Sequence, residues 1–303
     1  MASILFHTSD YAYLAQKIVL LRPDIEIGIV ETKTFPDGEI YHRILSDIKD
    51  KEVIVLGGTI SDKATLELYD IATACTQFRA SKTKIFIPYY GYSTMERAVK
   101  IGEIVKAKTR AILLSSIPQP ELGIEIYMFD LHSEGIPYYF ENNIKTFHIY
   151  AKPLIVKAAT ELANGEPFVL ASTDAGRAKW VESLANDMRT TAAFILKRRL
   201  SDRHTEIADI SADVAGNNVI IYDDIIRTGS SLINAARAYS EKGAKRIFVI
   251  ATHGIFCKES IEKILASGYI HTISTTDSHP NIQSIANEFV KVYSLASLII
   301  EAI

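Results

Sequence analysis

Short apolar runs and helical patterns alternate along almost the whole of this chain, and that alternation is its tightest constraint. In the first half, residues 4–6, 25–30, 53–57, 84–88 and 125–131 read as strands, with helices over 11–21 and 62–78. After 137–140 the pattern restarts. Helices are expected over 150–162, 178–188 and 258–266, and strands over 167–171, 192–196, 219–222, 246–251 and 272–275. A last amphipathic helix is expected over 290–302, and the polar stretch 201–210 reads as a mobile loop. The two halves share a layout in which strand ends deliver ligand-type turns. This predicts an α/β chain of two related domains, each a mostly parallel sheet flanked by helices. The expected boundaries are 1–146 and 147–303, with the last helix returning to the first domain.

One stretch carries most of the chemistry, VIIYDDIIRTGSS at 219–231. Val219, Ile220, Ile221 and Tyr222 form a buried strand closed by two carboxylates, Asp223 and Asp224. Thr228, Gly229, Ser230 and Ser231 follow as a small-residue turn, then a helix with Leu232, Ala235, Ala236 and Tyr239 at helical spacing. A helix N-terminus offers unpaired N–H groups and partial positive charge, so such a turn suits an anion. The hydroxyls add donors, and glycine lets the backbone approach a phosphate. Carboxylates repel a phosphate but accept hydrogen bonds from a diol. A ligand carrying both, such as a ribose 5-phosphate, fits both halves of the motif.

Other candidates stand at turns. Phe35, Asp37 and Glu39 sit in a Pro-Gly turn; Phe35 either packs on the core or stacks on a base. His132 follows a strand, where α/β folds bind ligands. A basic triplet, Lys197-Arg198-Arg199, precedes the polar stretch. Net charge is −3, which argues against a nucleic-acid partner. No apolar run reaches the roughly 20 residues that span a membrane. The start lacks the charged leader and apolar run of a secretory signal. Cys75 and Cys257 lack metal-ligand spacing and are expected to be buried thiols of a cytoplasmic protein.

Taken together, FPDGE (35–39), IPYYGY (87–92), DLHS (130–133), STDAG (172–176), KRR (197–199), DDIIRTGSS (223–231) and ATHGIF (251–256) resemble, in this order, the ribose-phosphate pyrophosphokinases. The resemblance spans nearly the whole chain. It implies two tandem phosphoribosyltransferase-like domains and a magnesium-dependent transfer of the β,γ-diphosphate of ATP to the 1-hydroxyl of ribose 5-phosphate. It also implies a homo-oligomer, dimer or hexamer, in which residues 35–39 complete a neighbour's site. By the same resemblance, Phe35, Asp37, Glu39, Arg97 and His132 hold ATP, and His132 and Asp174 contact Mg2+. Lys197 and Arg199 belong to the catalytic loop. Asp223, Asp224, Arg227, Thr228, Gly229, Ser230 and Ser231 hold the ribose phosphate.

The chain departs from the family pattern at several places. Thr94-Met95-Glu96-Arg97 stands where Arg-Gln-Asp-Arg is usual, so only Arg97 is kept. The arginine-rich stretch tied to regulation by phosphate and ADP is thinned to Val99-Lys100-Ile101-Gly102-Glu103. Ser230 replaces a glycine and Ser231 a threonine. Arg227 replaces an acidic or small residue, and Arg177 follows the 174 turn where glycine is common. The two guanidinium groups raise an alternative acceptor, a larger ester such as ADP-ribose. The losses at Thr94 and Met95 raise another, a catalytically weak regulatory paralogue.

Overall fold

The computed structural model describes residues 3–201 and 204–303, with the side chains at 175, 197–201 and 204–208 outside the description. The chain falls into two compact units, Met1–Tyr150 with Ser294–Ile303, and Ala151–Tyr293.

The first unit holds strands β1 (Ile4–His7), β2 (Glu26–Ile27), β3 (Val30–Thr34), β4 (Ile40–Ile44), β5 (Glu52–Leu56), β6 (Lys82–Ile87), β7 (Ile124–Phe129) and β8 (Lys145–Ile149). Six of them form a parallel sheet in the order β2-β1-β5-β6-β7-β8. β3 and β4 make a separate antiparallel hairpin. Thr146, expected near a domain boundary, lies inside β8, which extends the first sheet. Three helices connect these strands, α1 (Ala12–Leu21), α2 (Asp62–Gln77) and α3 (Lys106–Ser115). Ser61 caps α2 by accepting from Ala64 N–H at 3.1 Å. One face of the sheet buries Phe6, Val53, Val55, Ile85, Ile87 and Met128 against Leu68 and Ile71 of α2. Such continuous apolar strands are what a sheet covered on both faces requires.

The second unit begins with α4 (Lys152–Ala163). It continues through β9 (Phe168–Ser172), α5 (Ala178–Asp187), β10 (Thr191–Ala193), β11 (Ile195–Ser201), β12 (His204–Ile210) and β13 (Asn218–Ile226). α6 (Ser230–Glu241), β14 (Arg246–Gly254), α7 (Ser260–Ser267), β15 (Thr272–Thr276) and β16 (Val290–Tyr293) complete it. Its sheet is parallel, in the order β10-β9-β13-β14-β15-β16. The chain moves outward from β9 to β10, then crosses to β13 on β9's other side. The β9/β13 junction is therefore the point where strand order reverses, and ligands of open α/β sheets bind at the carboxyl ends there. Val219, Ile221, Val249 and Leu232 fill one face of this sheet, and Leu170, Ile220, Tyr222 and Leu184 the other.

Three local expectations are revised. β13 does not stop before the carboxylates but runs through them to Ile226, because Asp223 and Ile225 still find partners on β14. In the stretch read as a mobile loop, Ser201 and residues 204–210 are paired backbone, with β11 and β12 forming an antiparallel ribbon, while 202–203 lie outside the described residues. The final helix is shorter than its apolar pattern suggests. Residues 290–293 are the edge strand β16, and α8 (Ala296–Ala302) begins only after Ser294, whose hydroxyl accepts from Ala296 N–H at 3.2 Å. β-Branched Val290 and Val292 fit a pleated edge as well as a helix face.

Candidate functional site

The junction of β9 and β13 in the second unit gathers charge. Tyr222 lies opposite Ser172 in the ladder, so the residues that follow each strand emerge side by side. Thr173 donates through its hydroxyl to Asp223 Oδ2 at 3.1 Å, and Asp224 N–H donates to Asp223 Oδ1 at 2.9 Å. Burial first, and the adjoining Asp224 second, push the Asp223 carboxyl up to about 7. Asp224 is 4% exposed, and its carboxylate forms an ion pair with the guanidinium of Arg177. Asp174, one residue beyond Thr173, accepts from Gly176 N–H at 2.8 Å and so shapes the turn that presents Arg177.

The turn after β13 is built for close approach. Gly229 adopts φ +77°, and a Cβ there would lie 2.7 Å from the side chain of Ile264. Only glycine meets both demands. Gly229 caps α6 with no side-chain cap bond, leaving the first-turn N–H groups of the helix facing outward from its end. Thr228 Oγ1 lies 3.4 Å from Ser230 Oγ, and Thr228 and Ser230 are both exposed. Two anchors fix this corner. Ile226 O accepts from Ile255 and Phe256 N–H, and Arg227 O accepts from Cys257 N–H. At the far end of α6, the Tyr239 hydroxyl donates to Ser172 O at 2.9 Å, tying the helix to the end of β9.

The structure brings Asp223, Asp224 and residues 227–231 onto one edge, with Asp174 on the neighbouring turn. The backbone of Lys197 and Arg199 lies in β11, opposite Ile207 and Thr205. Their side chains lie outside the described residues.

In the first unit the candidates are spread out. The hairpin turn is closed by Gly38 N–H on Phe35 O at 2.9 Å and Glu39 N–H on Asp37 Oδ1 at 3.1 Å. Phe35 is 47% exposed and meets Tyr41 edge-on at 6.3 Å, so it does not pack on the core. Arg97 is largely exposed, with its guanidinium 3.5 Å from Glu96. His132 is exposed, in a turn that His148 helps to shape by accepting Leu131 N–H at 2.9 Å. Cys75 is buried but Cys257 is exposed, which revises the expectation of two buried thiols.

A profile of the N-terminal domain of ribose phosphate pyrophosphokinase matches residues 3–117, and one of the phosphoribosyl synthetase-associated domain matches residues 197–303. The Thermotoga maritima ribose-phosphate pyrophosphokinase is 32% identical over 297 residues, covering 96% of this chain and 90% of that protein. The chain belongs to the ribose-phosphate pyrophosphokinase family. The Pyrococcus abyssi member is 34% identical over 256 residues, covering 83% of this chain and 84% of that protein. In three dimensions, the crystal structure of phosphoribosylpyrophosphate synthetase from Mycobacterium smegmatis superposes with a TM-score of 0.87 at 23% identity, covering 100% of this chain and 97% of that one. That likeness establishes the fold of two mostly parallel sheets flanked by helices.

Several residues at the edge of the second sheet escaped the sequence reading. Thr173 lies inside the quoted STDAG motif, but only its neighbour Asp174 drew notice. His253, at 2% exposure, pairs with Ser278 Oγ at 2.9 Å beside buried Asp277 and His279. Burial, and then His253, pull His279 down to about 4. A run of polar residues, TTDSHP at 275–280, which begins inside β15 and continues past its carboxyl end, was the available signal for this cluster.

Proposed function

We propose that this family member transfers the β,γ-diphosphate of ATP to the 1-hydroxyl of ribose 5-phosphate, giving phosphoribosyl diphosphate and AMP. The observation that carries the reading is the acidic pair at the β9/β13 junction, followed at once by the glycine-led start of α6. The pair accepts from the ribose hydroxyls, and the helix start with Thr228, Ser230 and Ser231 receives the 5-phosphate. Arg227, half-buried in the same turn, adds positive charge near that phosphate.

In the reaction the sugar oxygen forms a bond to the β-phosphorus while the bond from that phosphorus to AMP breaks. Charge builds on the transferring oxygens and on the leaving AMP. Lys197 and Arg199, carried on β11, are assigned to meet it. Among the described residues, no group of three or more His, Cys, Asp or Glu side chains forms a metal cage. We assign Mg2+ a site of few protein ligands, since it keeps waters and phosphate oxygens in its shell. His132 and Asp174 are the residues assigned to it. When bound, the ion neutralises phosphate charge and orients the transferring group. We assign the adenine to Phe35, Asp37 and Glu39, and an ATP phosphate to Arg97. The exposure of Phe35 supports a hairpin that serves a neighbouring copy in a homo-oligomer. No helix among the described residues is long and apolar enough to cross a membrane. A cytoplasmic location follows from the reading, since ATP is supplied there.

The test is direct. ATP and magnesium are incubated with ribose 5-phosphate or with ADP-ribose, and AMP release is followed. Faster release with ribose 5-phosphate is expected. Faster release with ADP-ribose would transfer the assignment to the larger acceptor, and no release with either would leave the regulatory role.

A further inference from the structure

Two carboxylates in contact beneath a protein surface demand compensation. The choices are a proton, a bound metal ion or a fixed cation. Asp223 and Asp224 adjoin on β13, and the Asp224 side chain is only 5% exposed. Among the described residues Arg177 supplies a fixed cation, with its guanidinium paired to Asp224 and itself 24% exposed. Its position is prepared rather than incidental. Asp174 Oδ1 holds Gly176 N–H, Ser172 Oγ donates to Asp174 O, and the short turn Ala175–Arg177 directs the arginine at the end of β13. A guanidinium is always charged, and its planar fork matches a carboxylate.

We propose that Arg177 is a built-in counter-ion of the acceptor site, filling the place beside Asp223 and Asp224 that a divalent cation would otherwise take, so that this site binds ribose 5-phosphate without metal. The inference rests on the reading of 223–231 as the sugar-phosphate site. Arg177 is a positioning residue here. It holds Asp224 in place to accept from the sugar and cancels charge that would repel the incoming phosphate and diphosphate. Magnesium is then needed for the nucleotide but not for the acceptor.

The experiment measures ribose 5-phosphate binding by calorimetry at constant ionic strength, in EDTA and in excess Mg2+. Wild type, Arg177→Gly, Arg177→Lys and Arg177→Met are compared, with thermal melts as a check on folding. Wild-type affinity is expected to differ by less than about threefold between the two conditions, whereas Arg177→Gly loses at least tenfold in EDTA and recovers in Mg2+. Arg177→Lys keeps most of the EDTA affinity and Arg177→Met does not; this pair decides the matter if the glycine variant fails to fold. Electron paramagnetic resonance of the apo proteins at equal free Mn2+ gives a second readout, in which Arg177→Gly gains one bound ion over wild type. Wild-type binding that collapses in EDTA overturns the inference. So does EDTA binding by Arg177→Gly or Arg177→Met within threefold of wild type, or tighter, since the arginine would then be idle or obstructive. Those results leave the acceptor assignment intact. Absence of sugar-phosphate binding by every protein, with and without Mg2+, overturns the assignment and the inference together.

Discussion

At the amino end of the second sheet, Glu166 accepts from Lys245 at 2.8 Å, Arg246 at 2.7 Å and buried Asn218 at 3.1 Å, with the carboxylate and both cations open to solvent. At the carboxyl end, Asp224 is buried and pairs with the Arg177 guanidinium, while half-buried Asp223 beside it accepts from the Thr173 hydroxyl and the Asp224 N–H. The consequences are opposite. Partners pull the Glu166 carboxyl down to about 2, whereas burial and a like neighbour push that of Asp223 up to about 7. The amino end satisfies its charge and gains cohesion between strand starts. The carboxyl end concentrates charge that folding alone would avoid, and such perturbed groups gather where ligands bind. Within one sheet, then, the physical chemistry separates a rim whose charges are satisfied from the rim to which the acceptor site is assigned.

The contrast breaks most visibly through catalysis. Lys197→Ala should lower turnover by about 100-fold or more while leaving the melting temperature nearly unchanged, as loss of transition-state charge stabilisation does. Steady-state kinetics beside a thermal melt checks it; an unchanged rate would mean that β11 does not carry the catalytic cation. Next in size, Asp224→Asn should raise KM for ribose 5-phosphate by about tenfold, the scale of one charged hydrogen bond lost. Unaltered KM would place the diol elsewhere.

Gly229→Ala tests the turn. A left-handed residue and a clash with Ile264 should remove about 1–3 kcal/mol of stability, read by denaturant unfolding, and should weaken acceptor binding as well. A pH series sharpens the comparison further. Because the Asp223 carboxyl is raised, the folded state holds a proton that the unfolded chain releases, between the ordinary carboxylate value of 3.8 and about 7. This group's contribution is therefore present at acid pH and lost as pH rises through that window. Asp223→Asn should melt progressively higher relative to wild type as pH rises from the ordinary carboxylate value of 3.8 to about 7 and then level off, and a constant difference across that window would contradict the assignment. The smallest effect is expected at the other rim. Glu166→Gln should leave both kinetic constants unchanged and shift the melt only slightly, as exposed ion pairs usually do.

Much of this was legible in the residues. Apolar runs such as 219–222 marked the buried strands because both faces of a parallel sheet are covered. The DDIIRTGSS corner announced itself through glycine, hydroxyls and paired acids at a strand end. What escaped were matters of partnership and pairing. No local pattern says that Arg177 turns onto Asp224, or that Thr173 holds Asp223, since each bond joins residues about 50 positions apart. Residues 204–210 looked like part of a loop because their pairing partner, β11, supplies the regularity that their own polar sequence lacks. The last helix was read as starting too early because Leu295, Leu298, Ile299 and Ala302 recur at helical spacing just beyond 290–293, whereas Val290 and Val292, two residues apart, follow the strand period and pair with β15 as an edge strand.

Phosphorus-31 NMR of the protein with ATP, magnesium and ribose 5-phosphate examines the central claim most closely. The account requires ATP to give way to AMP and a ribose bearing a diphosphate at carbon 1, in equal amounts. Accumulation of ADP, or loss of ATP with no sugar diphosphate, would contradict it.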